Sequence, residues 1–534
     1  MRRQISPVLH TLPLLAVLAT AAILRFWNLQ ARGLIYWDEA KFAMEGIRMQ
    51  AVILHAVSAH ASLLAGKSVG TAKPTHALIF GLAYLLFGVH DWVPLFVDGL
   101  ASLSVVALTY VIARRLFSPD VALFASALLA VSEYEIIYAR SALSESDGCL
   151  FLLLGVVVWL PRAFQTSLAA PTRRVLGSAV VFGAGLTINY RLLPYISAFV
   201  LLDIYPLLKR HDPRATASHV GVWVVGILAF PIVWEIAGSI AQAHDAVLFQ
   251  NELSGKKSSY LAEAIYQLHQ GKQSSFNFSP LPYLEWFGVR EGPFVALLTI
   301  LGLWAAIRKR TVPWAVAWAP VALPYLVYIF APFIVPRNLE AALPFISIVA
   351  AAGLTEAVQS FRSAEVRKTV AVTLVLASVA TGCFMSWRLT AERSGFASAA
   401  RYVELRGASR ILTSTEDMTF YFRGSGANCD SPALPRTLSL LKAFVQSGFR
   451  YAVIERHSTP VSDFTRSRAN LVKNLAVTGP LDLWEDLIAS ENTHAPAFTS
   501  HQDRVWIYDL KTIRFPAHLR AASHIPRCNR DVVT

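Results

Sequence analysis

The chain has 534 residues, of which 54% are hydrophobic and only 16% charged, with a formal net charge of +13 and a mean hydropathy of +0.46. Soluble domains carry about 25% charged residues, so this composition excludes an ordinary soluble enzyme and points to a polytopic membrane protein. The excess of positive charge does not signal nucleic acid, because the basic residues fall in loops between apolar runs, where they serve membrane topology.

The first apolar run, 8–27, follows Met1-Arg2-Arg3. Ala19-Thr20-Ala21 imitates a signal-peptide cleavage site, but the run continues to an Arg25-Phe26-Trp27 interface belt, which predicts an uncleaved anchor. About ten residues later comes Tyr36-Trp37-Asp38-Glu39-Ala40-Lys41-Phe42, a carboxylate pair placed just beyond a membrane exit. From Asp38 to Met49 charged and apolar residues interleave as in a helix lying at the interface. Asp38 would stand at the N-terminal end of that helix, where the dipole favours a carboxylate, so helix capping is the plain structural reason for it. Capping and acid/base chemistry are compatible.

Ten more apolar runs follow at 93–117, 121–139, 148–160, 175–188, 192–208, 220–238, 292–307, 312–335, 341–358 and 370–387, which predicts about eleven membrane helices. Arg2/Arg3, Arg114/Arg115, Arg162 with Arg173/Arg174, Lys209/Arg210/Arg214, Arg308/Lys309/Arg310 and Arg362/Arg367/Lys368 fall in alternate loops, giving an N-in, C-out orientation. The apolar stretch 75–88 would reverse that pattern if it crossed, so it is assigned to the outer interface or to a re-entrant helix.

This parity gathers Asp38, Glu39, Lys73, residues 140–147, Asn189-Tyr190-Arg191, Arg337 and everything beyond Arg388 on the outer side. Charges near membrane depth are costly and tend to mark a site. The expected organisation is a membrane domain over 1–388, with a first external loop at 28–92 and a large one at 240–290, and an external soluble α/β domain over 389–534. In the latter, β-like runs stand at 410–413, 451–454 and 505–508, with a helix expected at 438–447. Cys149 and Cys383 lie in apolar runs, whereas Cys429 and Cys528 lie in the external part, where an oxidising compartment would allow a disulfide.

Several motifs then follow in a fixed order. They are Trp37-Asp38-Glu39-Ala40-Lys41-Phe42-Ala43, Lys73-Pro74, Gly88-Val89-His90-Asp91-Trp92, Ala113-Arg114-Arg115-Leu116-Phe117, Tyr138-Ala139-Arg140-Ser141-Ala142-Leu143-Ser144-Glu145, and Pro336-Arg337-Asn338-Leu339. This order resembles that of the type C glycosyltransferases, in the branch of the protein O-mannosyltransferases and the lipid A aminoarabinose transferase. The likeness is dense over 32–154, thinner to 353 and absent from the external domain. It implies transfer of a sugar from a polyprenyl-phosphate donor to an acceptor outside the cytoplasmic membrane, in a single inverting displacement. It further implies Asp38 as base, Glu39 as its neighbour, Glu145 as the second acidic position, and Lys73 and Arg337 as the clamp on the donor phosphate. A positioned base contributes about 10²–10⁴-fold, and a cationic clamp stabilises the leaving phosphate.

The chain departs from the pattern at Lys73-Pro74-Thr75-His76, where relatives often read Lys-Pro-Pro, and at Glu145-Ser146-Asp147, where either carboxylate could serve. Tyr190 and Arg191 stand at an outer helix end, where the planar guanidinium suits a phosphate and equally suits snorkelling. Arg140 has the same two readings, interface anchor or substrate contact. His55, His60, His76 and His90 show no convincing ligand spacing, so no metal ligand is assigned from them; a divalent cation at the carboxylates stays open, since hard cations take oxygen ligands. The alternative function is a transporter or flippase, which would also have many spans, but the paired repeats and broken helices typical of transporters are not seen in the sequence. The sugar and the acceptor, whether lipid, glycan or protein, are not specified.

Overall fold

The computed structural model describes residues 8–35, 37–57, 72–164, 173–243, 248–249, 257–269, 278, 280–330, 335–408, 410–413, 420–421, 428–429, 438–455, 471–476, 504–515 and 517–522. The chain divides into two compact units, one of Met1–Trp27, Ser68–Ile79 and Leu95–Thr390, the other of Asn28–Lys67, Phe80–Pro94 and Ala391–Thr534.

Helices α1 (Val8–Phe26), α2 (Trp37–Val57), α3 (Pro74–Phe87), α4 (Trp92–Leu116), α5 (Pro119–Ala130), α6 (Glu133–Ala139), α7 (Ser144–Ala163) and α8 (Arg173–Ile188) come first. They are followed by α9 (Leu193–Lys209), α10 (Pro213–Ala243), α11 (Tyr260–His269), α12 (Leu281–Lys309), α13 (Val312–Tyr328), α14 (Leu343–Gln359) and α15 (Ala364–Leu389). Among the described residues, eight helical segments are long and apolar enough to cross a membrane, or nine if the bent pair α5 and α6 is one span. The protein is a multi-pass membrane protein.

Each of the eleven apolar runs falls on a helix, but three of them differ in form from a simple span. The run 121–139 is bent by 61° between α5 and α6. Ser132 causes the break: it caps α6 by accepting a hydrogen bond from the Glu135 amide. The helices α8 and α13 are short, at 16 and 17 residues. The stretch 75–88 forms the 14-residue α3, which at 1.5 Å per residue reaches about 21 Å and falls short of a hydrocarbon core of roughly 30 Å. Nor is 240–290 one continuous loop, because α10 runs on to Ala243, α11 occupies Tyr260–His269 and α12 already begins at Leu281. Within α12, Gly292 takes φ +77° directly before Pro293, which has no amide hydrogen to continue the ladder, so the helix is broken there.

In the first unit, α8 packs on α7 and α10, α14 on α5 and α12, and α9 on α13. The α12/α14 crossing needs bare backbone: a Cβ on Gly353 would lie 2.4 Å from the Gly302 nitrogen, and small residues at helix crossings in a bilayer permit this approach. Buried polar groups tie helix ends together. Arg25 of α1 pairs with Glu135, and Ser102 donates to the same carboxylate. Arg140 donates through Nη1 to the carbonyls of Leu24, Arg25 and Trp27 at 3.0–3.1 Å, which satisfies acceptors that the C-terminus of α1 leaves open. Of its two sequence readings, the anchoring one is what these bonds provide.

The second unit contains α2, the C-terminal part of α3, α16 (Gly395–Glu404), α17 (Leu438–Gln446) and a five-stranded sheet. The strands β1 (Ile411–Thr413), β2 (Asn428–Cys429), β3 (Tyr451–Glu455), β4 (Leu471–Ala476) and β5 (Arg504–Asp509) lie in the order β2-β1-β3-β5-β4. The strand β1 is parallel to β2 and β3, while β3/β5 and β5/β4 are antiparallel. Leu412, Leu441, Phe444, Phe449, Ala452, Tyr508 and Leu510 form the core between α17 and the sheet. The α/β reading of the C-terminal part holds. The Cys429–Cys528 pairing lies outside the described residues, as do His60 and the side chain of His55.

Candidate functional site

In the first unit the polar centre is the first turn of α7, where Ser144, Glu145, Ser146 and Asp147 are all buried. A helix N-terminus favours carboxylates there, through its unpaired amides and its dipole. Lys73, immediately before the first residue of α3, donates through Nζ to Ser144 Oγ at 2.7 Å. Arg191, in the turn between α8 and α9, donates to Glu145 Oε1 at 3.3 Å and keeps 17% of its side chain exposed. Its guanidinium also lies 5.6 Å from the Tyr190 ring. One step further along α7, Asp147 Oδ2 lies 3.0 Å from His76 Nδ1. Thr75, which stands where a second proline was expected, shares a hydrogen bond of 2.6 Å with Thr187 and accepts another from Trp234 at 2.9 Å. Lys73, Glu145, Asp147, Tyr190 and Arg191 are therefore brought together by the ends of three helices.

Arg337 belongs to a 3₁₀ segment, Pro336–Ala342, that leads into α14. Tyrosine hydroxyls from separate elements fix this segment. Tyr134 donates to the Pro336 carbonyl at 2.5 Å, Tyr195 donates to the Asn338 carbonyl at 2.7 Å, and the Asn338 amide donates to Tyr283 at 2.9 Å. A fourth, Tyr328, donates to the Arg191 carbonyl at 2.5 Å. The buried hydroxyl of Tyr138 has no hydrogen-bond partner among the described residues.

In the second unit Asp38 and Glu39 occupy the first turn of α2, both buried. Glu39 is held on both oxygens. Arg32 donates to Oε1 at 2.9 Å and to Oε2 at 3.2 Å, and the Ile35 amide donates to Oε2 at 2.6 Å. Arg32 also reaches Glu392 at 3.3 Å, and its carbonyl accepts from the Ser394 amide at 2.6 Å. Burial pulls the Arg32 pKa down, but Glu39 and Glu392 together outweigh it and the net shift is upward. Tyr421 accepts from the Leu34 amide and donates to Asp91, each at 2.9 Å. Glu39 thus serves as a structural tie between the loop after α1 and the start of the C-terminal part, while Asp38 beside it stands at the positive end of the α2 dipole.

Tyr134, Tyr195, Tyr283, Tyr328 and Asp98 were not singled out from the sequence, and Tyr138 stood in a motif without a role of its own. Asp98 carried a usable signal, since it is a carboxylate inside the apolar run 93–117. The tyrosines carried none, because an aromatic residue in a membrane helix reads as packing until its hydroxyl is seen to meet a carbonyl.

The fold is that of the type C membrane glycosyltransferases. It is similar to ArnT from Cupriavidus metallidurans bound to undecaprenyl phosphate, with a TM-score of 0.58 and 15% identity over 95% of this chain and 99% of that one. It is also similar to the oligosaccharyltransferase AglB from Archaeoglobus fulgidus in complex with an inhibitory peptide and a dolichol-phosphate, with a TM-score of 0.50 and 12% identity over 84% of this chain and 69% of that one. In sequence, residues 71–235 match the family described as dolichyl-phosphate-mannose-protein mannosyltransferase. No curated protein matches the chain in sequence.

Proposed function

We propose that the chain transfers a sugar from a polyprenyl-phosphate donor to an acceptor at the outer face of the cytoplasmic membrane, with its N-terminus inside and its C-terminal domain outside. The observation that carries this reading is the gathering of Lys73 and Arg191 around the first turn of α7. Two cations beside a carboxylate at a helix N-terminus make a setting in which a phosphate can exchange for the weaker of the existing partners. Arg337, on its tyrosine-fixed segment, supplies a third charge with bidentate geometry. Asp38 is the base that takes the acceptor proton as the anomeric carbon is attacked, and the donor phosphate leaves as polyprenyl phosphate, with inversion. Glu39, committed to Arg32, holds the turn on which Asp38 stands.

The test compares envelope glycans by mass spectrometry in cells that carry the wild-type protein or Asp38→Asn. The proposal expects one envelope component to lose the mass of a single sugar in the variant. Unchanged glycans, with a lipid-linked sugar accumulating on the inner leaflet when the protein is absent, would instead identify a flippase.

A further inference from the structure

Within the first unit, α9 and α13 enclose an apolar cleft of about 410 Å³. Ala198, Leu201, Tyr205 and Leu208 line it from α9, at the three- and four-residue spacing of one helical face, and Ala322 and Leu326 line it from α13. The alanines hollow it out, while Leu201, Tyr205, Leu208 and Leu326 stand more than half exposed along its edges. Because α9 belongs to a membrane span and α13 is an apolar helix packed against it, those edges face lipid. From Ala198 to Leu208 the cleft follows α9 for about 15 Å, half of a hydrocarbon core of roughly 30 Å. That is the depth of one leaflet, which suits a single acyl chain.

One end of the cleft is basic. Tyr328, the last residue of α13, donates to the Arg191 carbonyl just before α9. The two 17-residue helices therefore run antiparallel, and the C-terminus of α9 lies level with the N-terminus of α13. There Lys209 and Arg210 follow Leu208 directly, Arg214 lies in the first turn of α10, and Arg308 and Arg310 precede α13, all of them exposed. Lys209 turns back along the edge of the cleft, with Nζ 4.7 Å from the centroid of the Tyr205 ring. Of the acidic groups at this end, Asp212 accepts from the Ala215 amide and caps α10, and Glu356 pairs with Lys309.

We propose that this cleft binds one phospholipid with an anionic headgroup, its acyl chain lying between α9 and α13 and its phosphate at Lys209 and Arg210. Apolar walls alone take the chain of any lipid. The cations at the end select for charge, as basic pockets between membrane helices do, each basic residue near an anionic headgroup being worth about fivefold. The headgroup site stands at the opposite end of α9 from Arg191, so it takes no part in the donor reading and does not depend on it.

The test places the full-length protein in phosphatidylcholine nanodiscs that contain a small share of a probe lipid, either phosphatidylglycerol or phosphatidylcholine with a diazirine on one acyl chain. Photolysis should label peptides covering 198–208 and 319–326, at least tenfold more with the phosphatidylglycerol probe than with the phosphatidylcholine one. Joint replacement Lys209→Ala and Arg210→Ala should remove most of that preference. Ala322→Phe, which fills the cleft and leaves every charge in place, should lower labelling of these peptides by both probes. Unlabelled phosphatidylglycerol should raise the melting temperature of the wild type and leave that of either variant unmoved. Equal labelling by the two probes in the wild type, or a preference that survives in both variants, would overturn the proposal. So would polyprenyl phosphate clearing the label from these peptides when equimolar with the probe, since the cleft would then hold the tail of the donor.

Discussion

Two acidic turns, each at the start of a helix and each touched by an arginine, are built differently. In the second unit Glu39 meets Arg32 through two bonds, both side chains are fully buried, and Arg32 is further tied to Glu392. In the first unit Glu145 meets Arg191 through one longer contact, and Arg191 is partly exposed. A bidentate, fully enclosed pair is architecture, and breaking it leaves charge stranded. A single contact to a partly exposed guanidinium can be given up to an incoming anion at small cost, so the looser turn is the better candidate for binding.

The largest expected effect lies on the enclosed side of this comparison. Arg32→Ala strands Glu39 and Glu392 and should destabilise the protein by about 3–5 kcal/mol, read as a fall in melting temperature and as faster proteolysis of the C-terminal domain. Unchanged stability would show that the tie is dispensable.

Next comes Asp38→Asn, expected to lower transfer about 10²-fold or more while leaving insertion and melting temperature intact. Glu39→Gln sharpens the contrast, because it should lower stability more than Asp38→Asn does. If Glu39→Gln lost turnover at full stability, the roles of the two neighbours would have to be exchanged.

Smaller again is Arg337→Lys, which keeps the charge but loses the planar fork. Donor affinity should weaken about tenfold, and Lys73→Ala should do the same, as expected for losing a hydrogen bond to a charged group. Unchanged donor affinity in both would put the phosphate clamp elsewhere. The smallest effect is expected of Tyr195→Phe, which removes one of the bonds holding the Arg337 segment. A loss of about 0.5–1.5 kcal/mol should appear as a several-fold rise in KM for the donor with kcat unchanged; a fall in kcat alone would mean that the hydroxyl acts elsewhere.

The helical part of the fold was legible because length and hydropathy constrain membrane helices so strongly. The bend at Ser132 was legible too, in principle, since Ser132-Glu133-Tyr134-Glu135 has the pattern of a capping box, but the apolar run on either side hid it. In the C-terminal part β1, β3, β5 and α17 follow the apolar runs read from the sequence. The strand β4 did not show, because Lys473-Asn474 interrupts its alternation and the ladder shifts register between Leu471 and Lys473. Of the site residues, Lys73, Glu145, Asp147 and Arg191 stand at or beside the first turn of α7. Their connections depend on helix-end geometry that spacing cannot show, and so does the pairing of His76 with Asp147 from 71 positions away.

The most direct test of the central claim uses the purified protein in nanodiscs with a polyprenyl-phosphate sugar, radiolabelled in the sugar, and an extract of envelope acceptors. The account predicts label passing to an acceptor with release of free polyprenyl phosphate in equal amount, abolished in Asp38→Asn and reduced in Lys73→Ala. Label that remains on intact polyprenyl phosphate while the lipid equilibrates across a sealed bilayer would contradict it.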